Sequence, residues 1–521
     1  MNKSEKYLYN RITDKNSDFV MWMAFPGIYS FSMSSLGYLW MFKTIDEIQG
    51  INIERICSDT ETTKYNIADV KVFGFSFSFD MDFLTIFSML EKYRLPLKAA
   101  ERYGMPLVFA GGPVVSANPE PYKEFFDFFI IGDGEDVNLK VIEICKNNQD
   151  KDKTEILKML SEVEGVYVPM YPKQVQKLTK KLTECIYTPI LSENSFFKET
   201  FILEVSRGCA NRCGFCLASY LNLPLRCVPY EELIKTIDLG LSYTNKIALL
   251  GAQISAHPHF HDICRYIYEK IQSGQHIEMS VSSLRVDAIT PDVVKTLVAA
   301  GQKNSTLAIE AGSDRLRRVI NKNLTEEQIF NAVKIARDNG LKGLKFYGMI
   351  GLPTETQEDL QDIIRLAEKL KKVNKGFDIS FGFSSFVPKP NTPFQWCGRE
   401  STKALEEKSN FLKKELHKLG ITAHVSSIKW DYWQAVLSRG DASLNFVLDV
   451  YKNGGKLGAF KIAAKKLNIN AESFATENYS FDKILPWDFI QIKPEKDFLI
   501  KENQRLIMQQ EYSQSKQDLT I

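Results

Sequence analysis

Three cysteines, Cys209, Cys213 and Cys216, fall within eight positions of the sequence, in the stretch SRGCANRCGFCLASY. Thiols this close together can bind a metal, form disulfides or fill a core. A closed structural zinc site needs four ligands, and a pair of disulfides needs four cysteines. Three thiolates suit a four-iron cluster that leaves one iron open to a substrate. Gly208 and Gly214 permit the tight backbone that would aim three sulfurs at one point.

The rest of the sequence disfavours disulfides. The N-terminus has no apolar stretch of signal-peptide length, and Asp80 and Asp82 interrupt the most apolar part of the chain. We therefore expect a cytoplasmic protein, without a membrane span, in a reducing compartment where disulfides are rare. The other six cysteines are not spaced for a second cluster, and we expect buried thiols there. They are Cys57, Cys145, Cys185, Cys227, Cys264 and Cys397.

Length and charge are those of an enzyme with several domains. The chain has 521 residues, enough for about three domains of ordinary size. Its 66 basic and 64 acidic side chains leave a formal charge of +2, so no strong field attracts nucleic acid or an anionic membrane. A basic segment at 402–418 could contact RNA, but interleaved acidic residues favour a solvated helix face.

The elements before the cysteines predict a ligand-binding domain. Short apolar runs alternate with helical patterns across residues 1–150, which predicts an α/β domain with a doubly wound, Rossmann-like sheet. Ligands of such sheets bind at the carboxyl ends of the strands. Glycines at these ends either let a backbone approach a ligand or form ordinary strand-to-helix turns. They are Gly111, Gly112, Gly132 and Gly134.

The cysteines themselves follow the first strand of a second α/β region. Six strand patterns alternate with helices across residues 199–396, which predicts a partial (β/α)6 barrel with its chemistry at the carboxyl ends of the strands. The preceding residues 151–198 are charged and predict a linker or an edge hairpin. Residues 397–521 predict an α-rich C-terminal region. The three cysteines are thus expected at the mouth of a barrel.

The spacing Cys-x3-Cys-x2-Cys, with Phe215 just before the last cysteine, resembles the signature of the radical S-adenosylmethionine (SAM) superfamily. The resemblance implies that Cys209, Cys213 and Cys216 bind a [4Fe-4S] cluster. Its open iron would be chelated by the amino and carboxylate groups of SAM. Reduction of the SAM sulfonium would then release a 5′-deoxyadenosyl radical. Such cofactors supply the difficult chemistry, while the protein positions them and excludes water.

Four later strand ends carry residues that the resemblance assigns to SAM, with Phe215 beside them. The second end would hold the SAM amino group, the third and fourth its ribose and charged groups, and the fifth its adenine. The residues are Gly251, Ala252 and Gln253, then Ser283 and Arg285, then Glu310, Gly312 and Ser313, then Gly348, Ile350, Gly351 and Leu352. A structural salt bridge is an open alternative for Arg285. His257 and His259 either exchange protons near the pocket or pack the following helix.

The N-terminal domain carries a second resemblance. A doubly wound domain with GGP and GDGE strand ends before such a barrel resembles the cobalamin-binding module of the B12-binding radical SAM subfamily, in particular an uncharacterised branch of it. The glycines at 111, 112, 132 and 134 would then contact cobalamin. All six histidines lie at or after His257, so this domain offers no histidine to the lower face of cobalt. Either cobalamin binds without that ligand or the pocket no longer binds it.

The two resemblances imply one enzyme and leave rivals open. The enzyme would be a radical SAM protein, and within that class a cobalamin-dependent methyltransferase acting on an unactivated carbon. One alternative drops cobalamin, so that the reaction is a rearrangement, cyclisation or group insertion beside a degenerate N-terminal domain. An alternative of another class is an RNA-associated binding protein. The expected partners are a small-molecule, peptide or RNA substrate and a reductant such as flavodoxin or ferredoxin, with no membrane.

Overall fold

The chain forms an N-terminal α/β domain, a partial barrel and a C-terminal helical region. A computed structural model describes residues 5–12 and 17–517. The N-terminal strands are β1 (Glu5–Tyr7), β2 (Val20–Phe25), β3 (Asn52–Cys57), β4 (Val70–Ser76), β5 (Leu107–Gly111), β6 (Phe128–Ile130) and β7 (Val166–Tyr167). The helices of this part are α1 (Tyr29–Ser32), α2 (Leu36–Asp46), α3 (Phe83–Lys92), α4 (Pro113–Ala117), α5 (Glu135–Asn147) and α6 (Lys153–Ser161).

The N-terminal sheet has the order β3-β2-β4-β5-β6-β7 and is parallel except for β7. Strands β4 and β5 are almost continuously apolar because both faces of the sheet are covered. The predicted doubly wound fold is confirmed. Chain order reverses between β2 and β4, and a switch point of this kind leaves a crevice at the carboxyl ends of the strands. Residues 151–198 contribute α6 and the edge strand β7.

Two short strands outside the barrel come next, β8 (Val175–Gln176) and β9 (Ile190–Ser192). The barrel part of the chain contains the strands β10 (Phe201–Arg207), β11 (Arg226–Cys227), β12 (Lys246–Gly251), β13 (Glu278–Val281), β14 (Asn304–Glu310), β15 (Gly343–Ile350) and β16 (Asp378–Ser385). The helices are α7 (Leu217–Leu221), α8 (Tyr230–Tyr243), α9 (Phe260–Gln272), α10 (Pro291–Ala299), α11 (Asp314–Val319), α12 (Glu326–Asp338) and α13 (Gln357–Val373).

Six parallel strands form the barrel wall. Strands β10, β12 and β13 make one group, β14, β15 and β16 make the other, and a parallel bridge between Leu284 and Leu307 joins them. Every second residue of β10 packs against the outer helices. Ile202 lies between two of them and therefore points to the inner face. Leu36 and Trp40 of α2 pack on Ile202 there. The N-terminal domain therefore docks on the open side of the barrel.

The C-terminal region completes both preceding parts. Its elements are β17 (Thr422–Val425), β18 (Ile490–Gln491), α14 (Thr402–Lys418), α15 (Ile428–Arg439), α16 (Val447–Lys452), α17 (Leu457–Lys466), α18 (Ala471–Ala475) and α19 (Lys496–Gln517). Strand β17 pairs in parallel with β16, and the ring of Phe460 lies 6.3 Å from that of Phe83 in α3. No helix in the described part of the chain combines the length and apolarity needed to cross a bilayer.

Candidate active site

The loop that carries the three cysteines begins where β10 ends. Gly208 has a φ of +85°, and a Cβ placed on it would lie 2.4 Å from the carbonyl oxygen of Asn222. This turn therefore requires glycine. A Cβ on Gly214 would lie 2.8 Å from the ring of Phe394. Both loop glycines sit where a side chain would collide with a neighbour, so the tight path of the loop depends on them.

Asn321, which lies just after α11, anchors the loop from the other half of the barrel. Its side-chain amide donates to the carbonyl oxygens of Asn211 and Arg212 at 2.9 and 3.0 Å. Cys213 Sγ lies 3.9 Å from the carbonyl oxygen of Asn321 itself. Asn321 has a φ of +58°, a left-handed conformation that asparagine tolerates better than most residues. The cysteine loop is thus held by a segment that follows the fourth barrel strand.

The three sulfurs are free thiols in a largely buried setting. Burial raises the pKa of the Cys213 thiol to about 12 and that of Cys216 to about 11. Cys209 is partly exposed and donates from Sγ to Gln253 Oε1 at 3.1 Å. Thiols bind iron as thiolates, so a metal must displace protons from Cys213 and Cys216 when it binds.

The donor set suits an iron–sulfur cluster. A four-iron cluster presents a separate iron to each thiolate. Three free thiols on one anchored loop, without a fourth cysteine beside them, match that requirement. These residues would hold a [4Fe-4S] cluster with one iron left for another ligand.

Two of the residues predicted to contact SAM lie beside this loop. Gln253, after β12, accepts hydrogen bonds from Cys209 Sγ and from the side-chain amide of Asn211. Glu310, the last residue of β14, pairs with Lys322 Nζ at 3.1 Å. Glu310 also has a φ of +65°, a strained conformation for glutamate. Strain of this kind clusters at functional sites, where the surrounding structure enforces it.

Other predicted polar residues are engaged in the fold. Arg285 pairs with Asp287 at 3.0 Å, in line with the structural alternative. Ser313 Oγ accepts the backbone N–H of Leu316 at 3.0 Å, which caps α11, and donates to Asp359. Ser283 and Ala252 lie exposed at their strand ends. Arg285 and Ser313 thus each contact neighbouring protein groups.

The glycines predicted to contact SAM all pack tightly. An added Cβ would lie 2.9 Å from Ser206 Oγ at Gly251, 2.3 Å from the backbone nitrogen of Ile363 at Gly312, 2.6 Å from the Phe383 ring at Gly348 and 2.5 Å from Leu405 at Gly351. Ile350 and Leu352 are buried, and Phe215 packs in the same apolar cluster as Leu352. These positions bring the barrel strands, α13 and the cysteine loop close together.

His257 is held in place by two hydrogen bonds at its ring nitrogens. The Nδ1 atom of His257 accepts the backbone N–H of His259 at 3.1 Å. The Nε2 atom of His257 therefore carries the proton and donates to the carbonyl oxygen of Val228 at 2.8 Å. Burial lowers the pKa of His257, and both ring nitrogens are occupied. The packing alternative describes His257.

A cavity of about 550 Å³ lies at the carboxyl ends of β2, β4, β5 and β6, beside the switch point. All four glycines predicted there line it, with apolar walls from Met21, Met23, Phe75, Phe109 and Ile130. The far wall belongs to the barrel and includes Glu204, Arg207 and Leu250. Large, mainly apolar clefts between domains are typical cofactor sites.

The glycines on this cavity divide into two kinds. Gly112 and Gly132 have φ values of +122° and +100°, so each is needed by its turn. A Cβ on Gly134 would press on Asn138 at 2.8 Å, whereas one on Gly111 would find its nearest neighbour at 3.7 Å. Gly37, in α2, also lines the cavity, and a Cβ there would meet nothing within 4 Å. Gly37 and Gly111 therefore leave room for a ligand.

Helix α7 connects the cavity with the cysteine loop. It begins directly after Cys216 and ends at Leu221, which lines the cavity. It also packs against α4 of the N-terminal domain. The two candidate cofactor regions are therefore linked by one short helix.

An ionic network joins the same two regions. Arg207, two residues before Cys209, pairs with Asp133 at 2.9 Å and with Glu135 at 2.8 Å. Both carboxylates come from the GDGE strand end, and Arg207 also pairs with Glu204 at 2.8 Å. Arg207 and its partners are largely buried, so the network is shielded from solvent.

Sequence reasoning missed several residues of the site. Lys177 lines the cavity, and burial lowers its pKa to about 8. It falls in the stretch predicted to be a linker, where nothing distinguished it from neighbouring lysines. Asn321 and Lys322 follow α11 without a spacing that points to the cysteines. The acidic residues of GDGE were visible, but only the fold shows their partner Arg207.

Comparisons with known proteins decide the family. Residues 203–367 match the model described as radical SAM superfamily, and residues 41–169 match the model for the N-terminal part of radical SAM proteins. The uncharacterized protein MJ0966 of Methanocaldococcus jannaschii is 36% identical over 353 residues, covering 66% of this chain and 73% of that protein. This chain belongs to the radical SAM superfamily. The predicted membership is confirmed, and the chain is a radical SAM enzyme.

Other relatives and structures are more distant. The putative methylthiotransferase MJ0865 of the same archaeon is 25% identical over 45% of this chain and 51% of its own. The cobalamin-dependent SAM radical enzyme OxsB has a TM-score of 0.53 at 14% identity, covering 96% of this chain and 80% of OxsB. The radical SAM methyltransferase TsrM from Kitasatospora setae has a TM-score of 0.51 at 12% identity, over 70% and 72%. The resemblance to cobalamin-dependent radical SAM enzymes thus holds for the fold.

Proposed function

We propose that this radical SAM enzyme reductively cleaves SAM at a [4Fe-4S] cluster, binds cobalamin in the N-terminal cavity and transfers a methyl group to an unactivated carbon. The observation that carries the proposal is the placement of the cavity, which α7 links directly to the cysteine loop. Two cofactors bound in these regions would face a shared space. Both structural neighbours fit this assignment, since the OxsB structure has aqua-cobalamin bound and the TsrM structure has cobalamin and a [4Fe-4S] cluster bound.

The cysteine loop and the cavity each have side chains suited to their cofactor. Cys209, Cys213 and Cys216 would hold the cluster, while Gln253 and Glu310 lie beside them to orient polar groups of SAM. When bound, the cluster would supply the electron that cleaves SAM, and cobalamin would supply the methyl carrier. The apolar cavity walls exclude water, which protects radical chemistry. No histidine lines the cavity within the described residues, so cobalamin would bind without a histidine ligand.

Cobalamin binding by a variant of Gly37 tests this proposal. In Gly37→Leu the added side chain would fill the open part of the cavity, so cobalamin affinity should fall by at least about tenfold, which is about 1.4 kcal/mol. Leucine is also a better helix former than glycine, so the fold should not suffer. The measurement is equilibrium dialysis of hydroxocobalamin against the anaerobically reconstituted protein.

Gly458→Leu is the matched control. Gly458 is likewise the second residue of its helix, follows a leucine, and has nothing within 4 Å of an added Cβ, but it does not line the cavity. Wild type and Gly458→Leu should retain cobalamin near one equivalent. Absence of saturable cobalamin binding in the wild type would favour the cobalamin-independent radical reaction. Equal binding by both variants would remove the cofactor from this cavity.

A further inference from the structure

A second, smaller cavity lies where the N-terminal domain, the cysteine loop and the C-terminal region meet. This junction cavity has a volume of about 180 Å³. It shares Ser78 and Pro113 with the larger cavity, and Leu217, the residue after Cys216, forms part of its wall. This is more than ten times the roughly 10–15 Å³ that a single water needs on the same measure, so the space admits a small molecule.

One wall of the junction cavity is a polar cluster built from three parts of the chain. Lys389 Nζ donates to Asp80 Oδ2 at 2.8 Å and to Ser438 Oγ at 2.7 Å. Gln434 Nε2 donates to Asp80 Oδ2 at 2.9 Å, and Ser438 Oγ donates to Asp80 Oδ1 at 3.0 Å. The Asp80 carboxylate therefore already accepts three hydrogen bonds and has its counter-charge in place.

Donors remain on this wall after those bonds are made. A lysine ammonium has three N–H groups and Lys389 uses two of them, while Gln434 uses one of the two on its amide. In the described part of the chain neither remaining donor has a protein acceptor. An ammonium beside an amide donor suits a carboxylate, since charge-assisted hydrogen bonds to it are the strong ones.

The junction cavity also has apolar lining residues. Phe79 is 69% exposed on its rim, an unusual position for a phenylalanine. Val114, Leu217 and Pro390 add further apolar surface. A ligand that covered the Phe79 ring would remove apolar area from water while its polar end met Lys389.

We propose that the junction cavity is the substrate subsite and takes a small organic carboxylate with an apolar body. Lys389 and Gln434 would bind the carboxylate, and Phe79 would contact the apolar part. The assignment as substrate rests on the proposed function, because it places the molecule between the cobalamin cavity and the cysteine loop. The binding chemistry itself rests only on the residues of the junction cavity.

The test uses three probes of one shape on the anaerobically reconstituted holoenzyme: phenylacetate, phenylacetamide and benzylamine. Saturation-transfer NMR should show phenylacetate binding most tightly, the neutral amide at least about threefold more weakly and the amine not at all. Phe79→Ala should weaken phenylacetate about threefold or more without harming the fold, because the side chain is mostly exposed. Lys389→Met should weaken it at least about tenfold.

Two further variants keep the outcome interpretable. Lys389→Met leaves Asp80 without its cation, so the paired variant Asp80→Asn with Lys389→Met removes both charges and should also lose phenylacetate. Lys403→Met, on the exposed face of α14, should bind as wild type does. Equal binding of all three probes, or undiminished phenylacetate binding in Phe79→Ala and the paired variant, would overturn the subsite.

The subsite and the proposed function fail in different ways. If the wild type retains cobalamin but shows no saturable phenylacetate binding, the subsite is wrong while the function stands. If phenylacetate binds as described but no cobalamin is retained, the binding chemistry stands and the cobalamin function is wrong.

Discussion

The cysteine loop and the N-terminal cavity lie at two ends of α7, yet they differ in how their chemistry is encoded. The loop concentrates it in three thiols within eight positions, held by Gly208 and Asn321. The cavity has no such cluster: most of its wall consists of glycines, methionines and aromatic rings from several strands, with charged residues such as Lys177 and Arg207 on one side. The loop therefore depends on single side chains, whereas the cavity depends on shape.

This difference predicts unequal responses to substitution. Loss of one thiol removes a ligand that no neighbour can replace, whereas loss of one cavity residue alters the fit of a large ligand by a small amount. The ionic network around Arg207 belongs to both regions, so its removal should act on stability rather than on one cofactor alone.

The largest effect is expected from Cys216→Ala, which should abolish cluster binding. A three-thiolate site that loses one ligand no longer holds four irons. Iron and acid-labile sulfide in the reconstituted protein should fall to background, and SAM cleavage should stop. Cys227→Ala, at the neighbouring β11, is the control and should keep both. Full iron content in Cys216→Ala would show that the loop is not the cluster site.

Arg207→Met should destabilise the fold by about 3 kcal/mol, because it leaves buried Glu135 without its cation, whereas Asp133 keeps its pair with Arg226. Urea unfolding of the two proteins at equal ionic strength measures the change in the free energy of unfolding. Arg265→Met removes a pair whose arginine side chain is 65% exposed and should cost less than about 1 kcal/mol. Similar losses in both variants would contradict a shielded network between the two regions.

Lys177 gives the cavity a distinct pH dependence. Burial lowers its pKa from 10.5 to about 8, so between these values the unfolded chain binds more protons than the folded one. The free energy of unfolding of the wild type should therefore rise with pH across this interval relative to Lys177→Met. The gain should be about 3 kcal/mol at most. A constant difference between the two proteins from pH 7.5 to about 10.5 would contradict a buried lysine.

The smallest effect concerns the anchor of the cysteine loop. Asn321→Ala removes two hydrogen bonds to the loop and places alanine at a φ of +58°. Asn468→Ala imposes the same backbone strain at a φ of +53° on an exposed residue. Asn321→Ala should lower the free energy of unfolding by about 1–2 kcal/mol more than this control does, which is the value of the two hydrogen bonds. Equal costs would mean that Asn321 does not hold the loop.

The contrast between the regions also explains what could be predicted from the sequence. The cysteine spacing and the alternating strands are local patterns, and both the family and the α/β folds are confirmed. The glycines at 111 and 132 look alike in sequence, but only the backbone angles separate a required turn from open space. The pairing of Arg207 with Asp133 joins residues far apart in the chain, so no local pattern contains it.

The most direct test of the account is the product pattern from cobalamin-loaded, reduced enzyme incubated with SAM. We predict that the wild type and Gly458→Leu release both 5′-deoxyadenosine and S-adenosylhomocysteine. Gly37→Leu should keep the first product and lose most of the second, and Cys216→Ala should lose the first. Formation of 5′-deoxyadenosine alone by the wild type, or the same product ratio in Gly37→Leu and Gly458→Leu, would contradict the claim that the two regions serve one methyl transfer.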